Sequence, residues 1–277
     1  MSPDEYCQQK TVQSGSSFYY SFLFLPPERR RAITALYAFC REVDDTVDEC
    51  TDQSIARIKL AWWRKEVAAM YLGQASHPVL QALMPHLASY ALQQEHMQAI
   101  IDGMEMDLDQ TRYLDYPAMQ RYCWHVASVV GILSASIFGV TDPQTLQYAE
   151  RLGLAFQLTN IIRDVGEDAR KGRIYLPVNE LQQFGVTAAD LLNARHSDKF
   201  EQLMQFQVAR AQQVYDQAFA LLPRADRRAQ RPGLMMAAIY RTVLGEIEND
   251  QYHVLTQRIS LTPIRKLWLA WKTYIRG

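Results

Sequence analysis

The sequence holds four cysteines, Cys7, Cys40, Cys50 and Cys123, and no C-x-x-C pair. That excludes a disulfide-built domain and a structural zinc site, and leaves reduced thiols as the expectation. No charge of one sign predominates either. Lys and Arg number 29 against 30 Asp and Glu, a net charge of −1, so the basic surplus that a nucleic-acid backbone demands is missing and nucleic acid is not an expected partner. The opening MSPDEYCQQK lacks the apolar core of a secretory leader, and no apolar run approaches the ~18 residues of a membrane span. A cytoplasmic location follows as the expectation. No alternating strand pattern, low-complexity tract or linker interrupts the chain, and no G-x-G-x-x-G follows a strand, which argues against a dinucleotide-binding fold.

What remains is helical. Long intervals without proline, between Pro27 and Pro78, Pro85 and Pro117, Pro143 and Pro177, and Pro177 and Pro223, are dense in Ala, Leu, Gln, Glu and Arg. Start signals precede them: Pro26-Pro27, Asp115 with Pro117, Asp142-Pro143, Thr187 with Asp190 as a capping box, and Thr262-Pro263. With 48% hydrophobic residues the chain has ample material for a core. The expectation is an all-α, single-domain bundle over residues 1–277 with roughly eight to ten helices.

Against that background the stretch REVDDTVDEC, Arg41 to Cys50, is anomalous because it puts Asp44, Asp45, Asp48 and Glu49 within six residues beside residues that belong in a core. Tyr37, Arg41, Asp44 and Asp48 recur at spacings of four, three and four and share one helix face, flanked by Leu36, Phe39, Cys40, Val43 and Val47. Buried carboxylates without partners are costly. A second segment repeats the design: Gly153, Gln157, Asn160, Asp164 and Asp168 form a polar stripe on a helix otherwise built of Leu154, Leu158, Ile161, Ile162 and Val165. One such pair of acids is usually a solvated face. Two, the second with an amide pair on its stripe, Arg163 beside it and a Gly172 turn with Arg173 and Tyr175 after it, point to oxygen ligands facing each other across a cavity. Hard oxygen donors with little imidazole or thiolate suit Mg²⁺, whose coordination is commonly completed by substrate phosphates.

DDTVD at 44–48, YCWHVASVVG at 122–131, QLTNIIRDVGED at 157–168 and GRIYLP at 172–177 resemble the squalene and phytoene synthase family. The likeness runs from SGSSFYYSFLFLPPERR to QRISLTPIRKL, nearly the whole chain. Within the family, SGSSFYYSFLFLPPERRRAI, DGMEMDLDQTRY and RDVGEDARKGRIYLP are most similar to the presqualene diphosphate synthases of hopanoid pathways, and phytoene synthases share much of the same text. The resemblance implies an isoprenoid synthase fold, a helical bundle around a central apolar cavity. It implies Mg²⁺-dependent head-to-head condensation of two prenyl diphosphates, farnesyl diphosphate in the first instance, with roughly two or three ions engaged. Phytoene or dehydrosqualene synthesis is the alternative, and a non-catalytic scaffold is disfavoured because every motif carboxylate is intact.

Position by position, the resemblance assigns Asp44, Asp45, Asp48, Asn160, Asp164 and Asp168 to metal, and Arg41, Arg163, Tyr240, Arg258 and Lys266 to diphosphate. Gln157 and Tyr175 line the site. Tyr122 matches a tyrosine near the reacting carbons, with helix packing as its other reading. Phe18, Phe22 and Tyr37 match aromatic wall positions, while Ala127 and Gly131, one turn apart, suit either a close helix contact or a wall that yields to a prenyl chain. Relatives often carry a histidine where this chain has Ser14, and His77, His86 and His125 form no ligand cluster. No NADPH is expected, nor the C-terminal membrane helix of longer squalene synthases. Downstream pathway enzymes are the expected partners. The terminal TPIRKLWLAWKTYIRG, in a stretch from Gln251 onward without Asp or Glu, reads as a last helix packed on the core, with a peripheral contact to the inner face of the membrane as the alternative.

Overall fold

The computed structural model describes residues 1–14, 18–50 and 52–276; positions 15–17 of the SGSSFYYSF motif lie outside the described residues. The described helices are α1 (Pro3–Gln13), α2 (Phe18–Phe22), α3 (Pro27–Asp48), α4 (Gln53–Tyr71), α5 (Pro78–Leu83), α6 (Gln94–Asp109), α7 (Tyr116–Cys123), α8 (Val129–Phe138), α9 (Gln144–Arg170), α10 (Val178–Phe184), α11 (Ala188–Leu192), α12 (Asp198–Leu221), α13 (Arg231–Asn249) and α14 (Pro263–Arg276). Among the described residues there is no strand, only a parallel bridge between Arg112 and Ile174. The fold is the all-α one the sequence implies, with more helices than the expected eight to ten. Short ones such as α2 and α11, five residues each, occupy what reads as loop because they are too brief to show a period.

The start signals act as capping chemistry requires. Asp115 accepts from the Ala118 amide and opens α7, Asp142 accepts from the Gln144 amide at the head of α9, and Thr187 and Asp190 cap each other at α11. Two apolar clusters then form. One gathers α9, α12 and α13 around Leu158, Ile161, Phe200, Tyr215 and Leu244; the other gathers α3, α4, α5, α6 and α8 around Leu36, Phe39, Leu60, Leu80 and Ile101. Phe18 and Val126 pack on both, so α2 and the π-helical turn Trp124–Ser128 between α7 and α8 mark the seam. A π-turn widens the helix locally. Here it lies against α9, where a Cβ on Gly153 would sit 2.5 Å from the Ala127 carbonyl oxygen and 2.7 Å from Ser128 Cα. Only glycine permits that crossing.

Two expectations need correction. Tyr116–Phe138, running through the π-turn, is long and apolar enough to cross a membrane by length and composition, although half of it is buried, with Val129, Leu133 and Ile137 in the second cluster. Its apolarity serves the core. The last helix, by contrast, does not bury its aromatic face: Ala270 is fully buried, whereas Trp268 and Trp271 are 51% and 52% exposed.

Candidate active site

The seam between the clusters holds a cavity of about 180 Å³. Its walls come from α2 (Phe18, Phe22), α3 (Leu36, Tyr37, Cys40), the π-turn and α8 (Ala127, Gly131, Phe138), α9 (Tyr148 to Asn160) and the start of α13 (Gly233, Met236). Along α9 it extends twelve residues, about 18 Å at 1.5 Å per residue. Phe18, Phe22, Tyr37, Ala127, Gly131, Gln157 and Asn160 are thus brought together on one surface. Ala127 and Gly131 each line the cavity, and Gly131 also makes a close helix contact, since a Cβ there would meet the Ala149 carbonyl oxygen at 2.4 Å. Phe156 joins the aromatic wall, 6.2 Å from Phe18 and 5.0 Å from Tyr240 between ring centroids. Tyr240 backs the wall and borders the Arg163 guanidinium.

Beyond Asn160 the same stripe of α9 carries its acids. Arg163 donates to both oxygens of Asp164, at 2.8 and 2.5 Å, and Arg258 adds a third bond at 2.8 Å. Burial would raise the Asp164 pKa, but these cations outweigh it and hold the carboxyl below its ordinary range. Asp168, one turn on, has no such clamp. Burial and the Asp164 charge push it up to about 7, with Lys171 and Arg173 offsetting only part. Lys266 completes the basic end, its ammonium pKa lowered by burial and then by the charges of Arg163 and Arg258.

On α3, Arg41 spans Asp44 and Asp45, 2.5 Å from each. Asp45 gives its other oxygen to Lys10 of α1 at 2.8 Å, so both its oxygens are engaged by cations. Asp44 is pushed up to about 6, first by burial and then by Asp48, Asp45 and Asp107, against the pull of Arg41. Asp48 accepts from Arg173 at 2.8 Å and Lys171 at 3.3 Å, which pull it below its ordinary range despite its burial. The turn after α9 therefore reaches across to α3.

Tyr122 and Tyr175 lie apart from the cavity lining. Both phenols donate to Asp107 of α6, at 2.9 and 2.8 Å, and their rings stack at 5.2 Å. Asp107 is buried, and burial holds its pKa up near 6 with Asp48 adding to the effect. In the sequence DGMEMDLDQTRY carries only a family resemblance, and none of its acids, Asp107 included, is singled out. Asp102 and Glu105 do pair with Arg64, and Asp109 with Arg57. Only the register gave Asp107 away, three and four residues after the buried Met104 and Gly103.

Among the described residues no three His, Cys, Asp or Glu stand close enough to hold a metal unaided. The donors nevertheless suit Mg²⁺, which is commonly bound by one or two carboxylates with phosphates and water completing the shell. All are oxygens, Asn160 Oδ1 is buried without a hydrogen-bond partner, and Asp44 and Asp168 carry charge that the local cations leave uncompensated.

A helical domain with an apolar seam cavity, and with acids and basic groups set together beyond the cavity's amide-lined end, belongs to the synthases that condense prenyl chains head to head. The chain is a member of the squalene/phytoene synthase family, whose model matches residues 11–265. It is similar to a phytoene synthase of Arthrospira platensis, 35% identical over 276 residues, covering 95% of this chain and 89% of that protein. A 15-cis-phytoene synthase of Synechococcus elongatus is 36% identical over 275 residues, with the same coverage. Among solved structures, a dehydrosqualene synthase in complex with ligand superposes with a TM-score of 0.87 at 26% identity over 99% of this chain and 96% of that one. Squalene synthase HpnC from Alicyclobacillus acidocaldarius gives 0.78 at 29% identity over 90% and 94%.

Proposed function

We propose that the chain joins two farnesyl diphosphates to presqualene diphosphate and releases one diphosphate. The observation that carries this reading is the continuity of the α9 stripe, from the apolar cavity at Tyr148 through Gln157 and Asn160 to the acids and cations at Asp164 and Asp168. A prenyl tail lies along the first part while its diphosphate meets the second. The C1–O bond of one substrate breaks with the electron pair leaving on diphosphate, and the C2–C3 double bond of the second attacks the freed C1. Loss of a proton from that same C1 lets it bond to the cationic C3 and closes the cyclopropane, while the second substrate keeps its diphosphate, so no hydride is consumed.

Mg²⁺, when bound by Asp44, Asp48, Asn160, Asp164 and Asp168, would neutralise the charge that appears on the departing oxygens. The chain's own cations share that work. Arg41, Arg163, Arg173 and Arg258 exchange carboxylate partners for diphosphate oxygens, for which a guanidinium fork is well shaped, and Lys266 adds an ammonium beside Arg163 and Arg258. Phe18, Phe22, Tyr37 and Phe156 exclude water and present ring faces to the allylic cation. Asp107 positions Tyr122 and Tyr175 through their hydroxyls.

The C15 preference draws support from the dehydrosqualene and squalene synthase structures. A C20 substrate, giving phytoene, is the second reading and is favoured by the phytoene synthase names among sequence relatives. The test is incubation with Mg²⁺ and C15 or C20 diphosphate, with and without NADPH, analysed before and after phosphatase. Presqualene alcohol released only by phosphatase, in both conditions, supports the proposal. Phytoene from C20, or squalene that requires NADPH, refutes it.

A further inference from the structure

Ile264, Leu267, Trp268, Trp271 and Ile275 follow one another on α14 at spacings of three, one, three and four, a single helix face. All five are exposed, from 44% for Leu267 to 82% for Ile264. The helix is held to the domain by other residues: Ala270 is buried, Tyr274 stacks on Phe24 at 5.0 Å, and Arg231 lies over the Tyr274 ring. Contiguous exposure of five large apolar side chains marks an interaction surface.

Charge and aromatic placement identify the kind of partner. From Gln251 to the end the sequence has five cations, Arg258, Arg265, Lys266, Lys272 and Arg276, and no carboxylate. Arg265 is paired with Glu246 at 2.5 Å, while the Lys272 ammonium sits 4.6 Å over the Trp268 ring. Tryptophan beside lysine on an otherwise apolar face matches the boundary between lipid headgroups and acyl chains. The helix is also well placed. Its first turn brings Lys266 beside Arg163 and Arg258, and it packs on α2, whose Phe18 and Phe22 line the cavity.

We propose that α14 is an in-plane membrane anchor whose Ile264, Leu267, Trp268, Trp271 and Ile275 face enters a bilayer containing anionic lipid, setting the basic end of the cavity at the lipid surface. Amphipathic diphosphates and their apolar products then exchange with the bilayer over a short path. The anchor does not depend on which product is made, because the test reads binding.

The experiment is flotation of the whole chain with vesicles of phosphatidylcholine alone and with about one third phosphatidylglycerol. Wild type floats with the anionic vesicles, and the bound fraction falls as salt rises. Trp268→Ser with Trp271→Ser lowers partitioning about tenfold or more, since two rings leave the interface. Lys272→Glu keeps the apolar face and lowers binding to the anionic vesicles selectively. Both variants retain the wild-type helical circular dichroism and turnover in detergent. Wild type that stays unbound at low salt overturns the proposal. So does a concentration-dependent dimer that the double tryptophan variant dissolves while vesicle binding is unchanged, because the face then belongs to a second copy.

Discussion

The two aspartate helices look like copies in the sequence and are opposites in their electrostatics. On α9 the first acid, Asp164, is clamped by its neighbour Arg163 and by Arg258, while the second, Asp168, is left to rise to about 7. On α3 the first acid, Asp44, rises to about 6, and the second, Asp48, is clamped by Arg173 and Lys171 from the far side of the seam. Each helix therefore presents one acid whose carboxyl is held low by cations and one whose burial outweighs the cations near it, Asp44 although it shares Arg41 with Asp45 and Asp168 without any side-chain clamp. The lesson is that the motif spacing fixes a face, whereas the tertiary cations decide which acid on that face keeps a raised pKa.

The largest effect should come from the two acids with raised pKa values, Asp44 and Asp168. Asp44→Asn and Asp168→Asn should each lower turnover by about two to four orders of magnitude with the helical circular dichroism unchanged, because they remove charge stabilisation and not packing. Steady-state kinetics with farnesyl diphosphate checks this. Near-wild-type turnover in both would erase the distinction between the helices.

Removing the clamps sharpens the comparison. Arg173→Ala leaves Asp48 with Lys171 alone, whereas Arg258→Ala leaves Asp164 with two bonds from Arg163. The drop in kcat/KM should be roughly tenfold to a hundredfold for the first and several-fold smaller for the second. A larger loss at Arg258 would reverse the assignment of the dependent helix.

A smaller effect falls on stability. A Cβ on Gly166 would lie 2.2 Å from the Leu255 carbonyl oxygen, in the segment that leads to Arg258. Gly166→Ala should cost about 1–3 kcal/mol by forcing that segment off α9, read as a lower Tm. Restored Tm with weakened diphosphate release would separate placement of Arg258 from folding.

The smallest effect lies outside both helices. Asp226 is buried and accepts from the Thr141 and Asp142 amides and from both the Thr141 and Thr145 hydroxyls. Burial alone would raise its pKa, but these bonds win and bring it down to about 2. A depressed carboxylate stabilises fully above its unfolded pKa, about 4, and loses that contribution as pH falls toward 2. Asp226→Asn should therefore flatten the fall of Tm across that window and leave turnover at neutral pH untouched.

Much of the site was legible because a helix converts spacing into a face. The stripes of α3 and α9 needed only a period of 3.6 and their neighbours, whereas the aromatic wall residues Phe18, Phe22 and Tyr37 came from the family resemblance. What was not legible needed contacts distant in sequence. Nothing near Asp48 announces that Arg173 will bind it, and Asp45 reads like its neighbours until Lys10 of α1 takes one of its oxygens. Asp107 was hidden among acids that do face solvent. The last helix misled for the converse reason: an amphipathic pattern states that one face is apolar and leaves open what covers it.

Pyrophosphate release from farnesyl diphosphate under metal control tests the central claim most directly. Purified chain in excess EDTA should release none, Mg²⁺ should restore release in a saturable way, and Asp44→Asn and Asp168→Asn should need far more Mg²⁺ than wild type. Release in EDTA equal to that in Mg²⁺ would contradict the account, because Asp44 and Asp168 would then have no metal ion to hold.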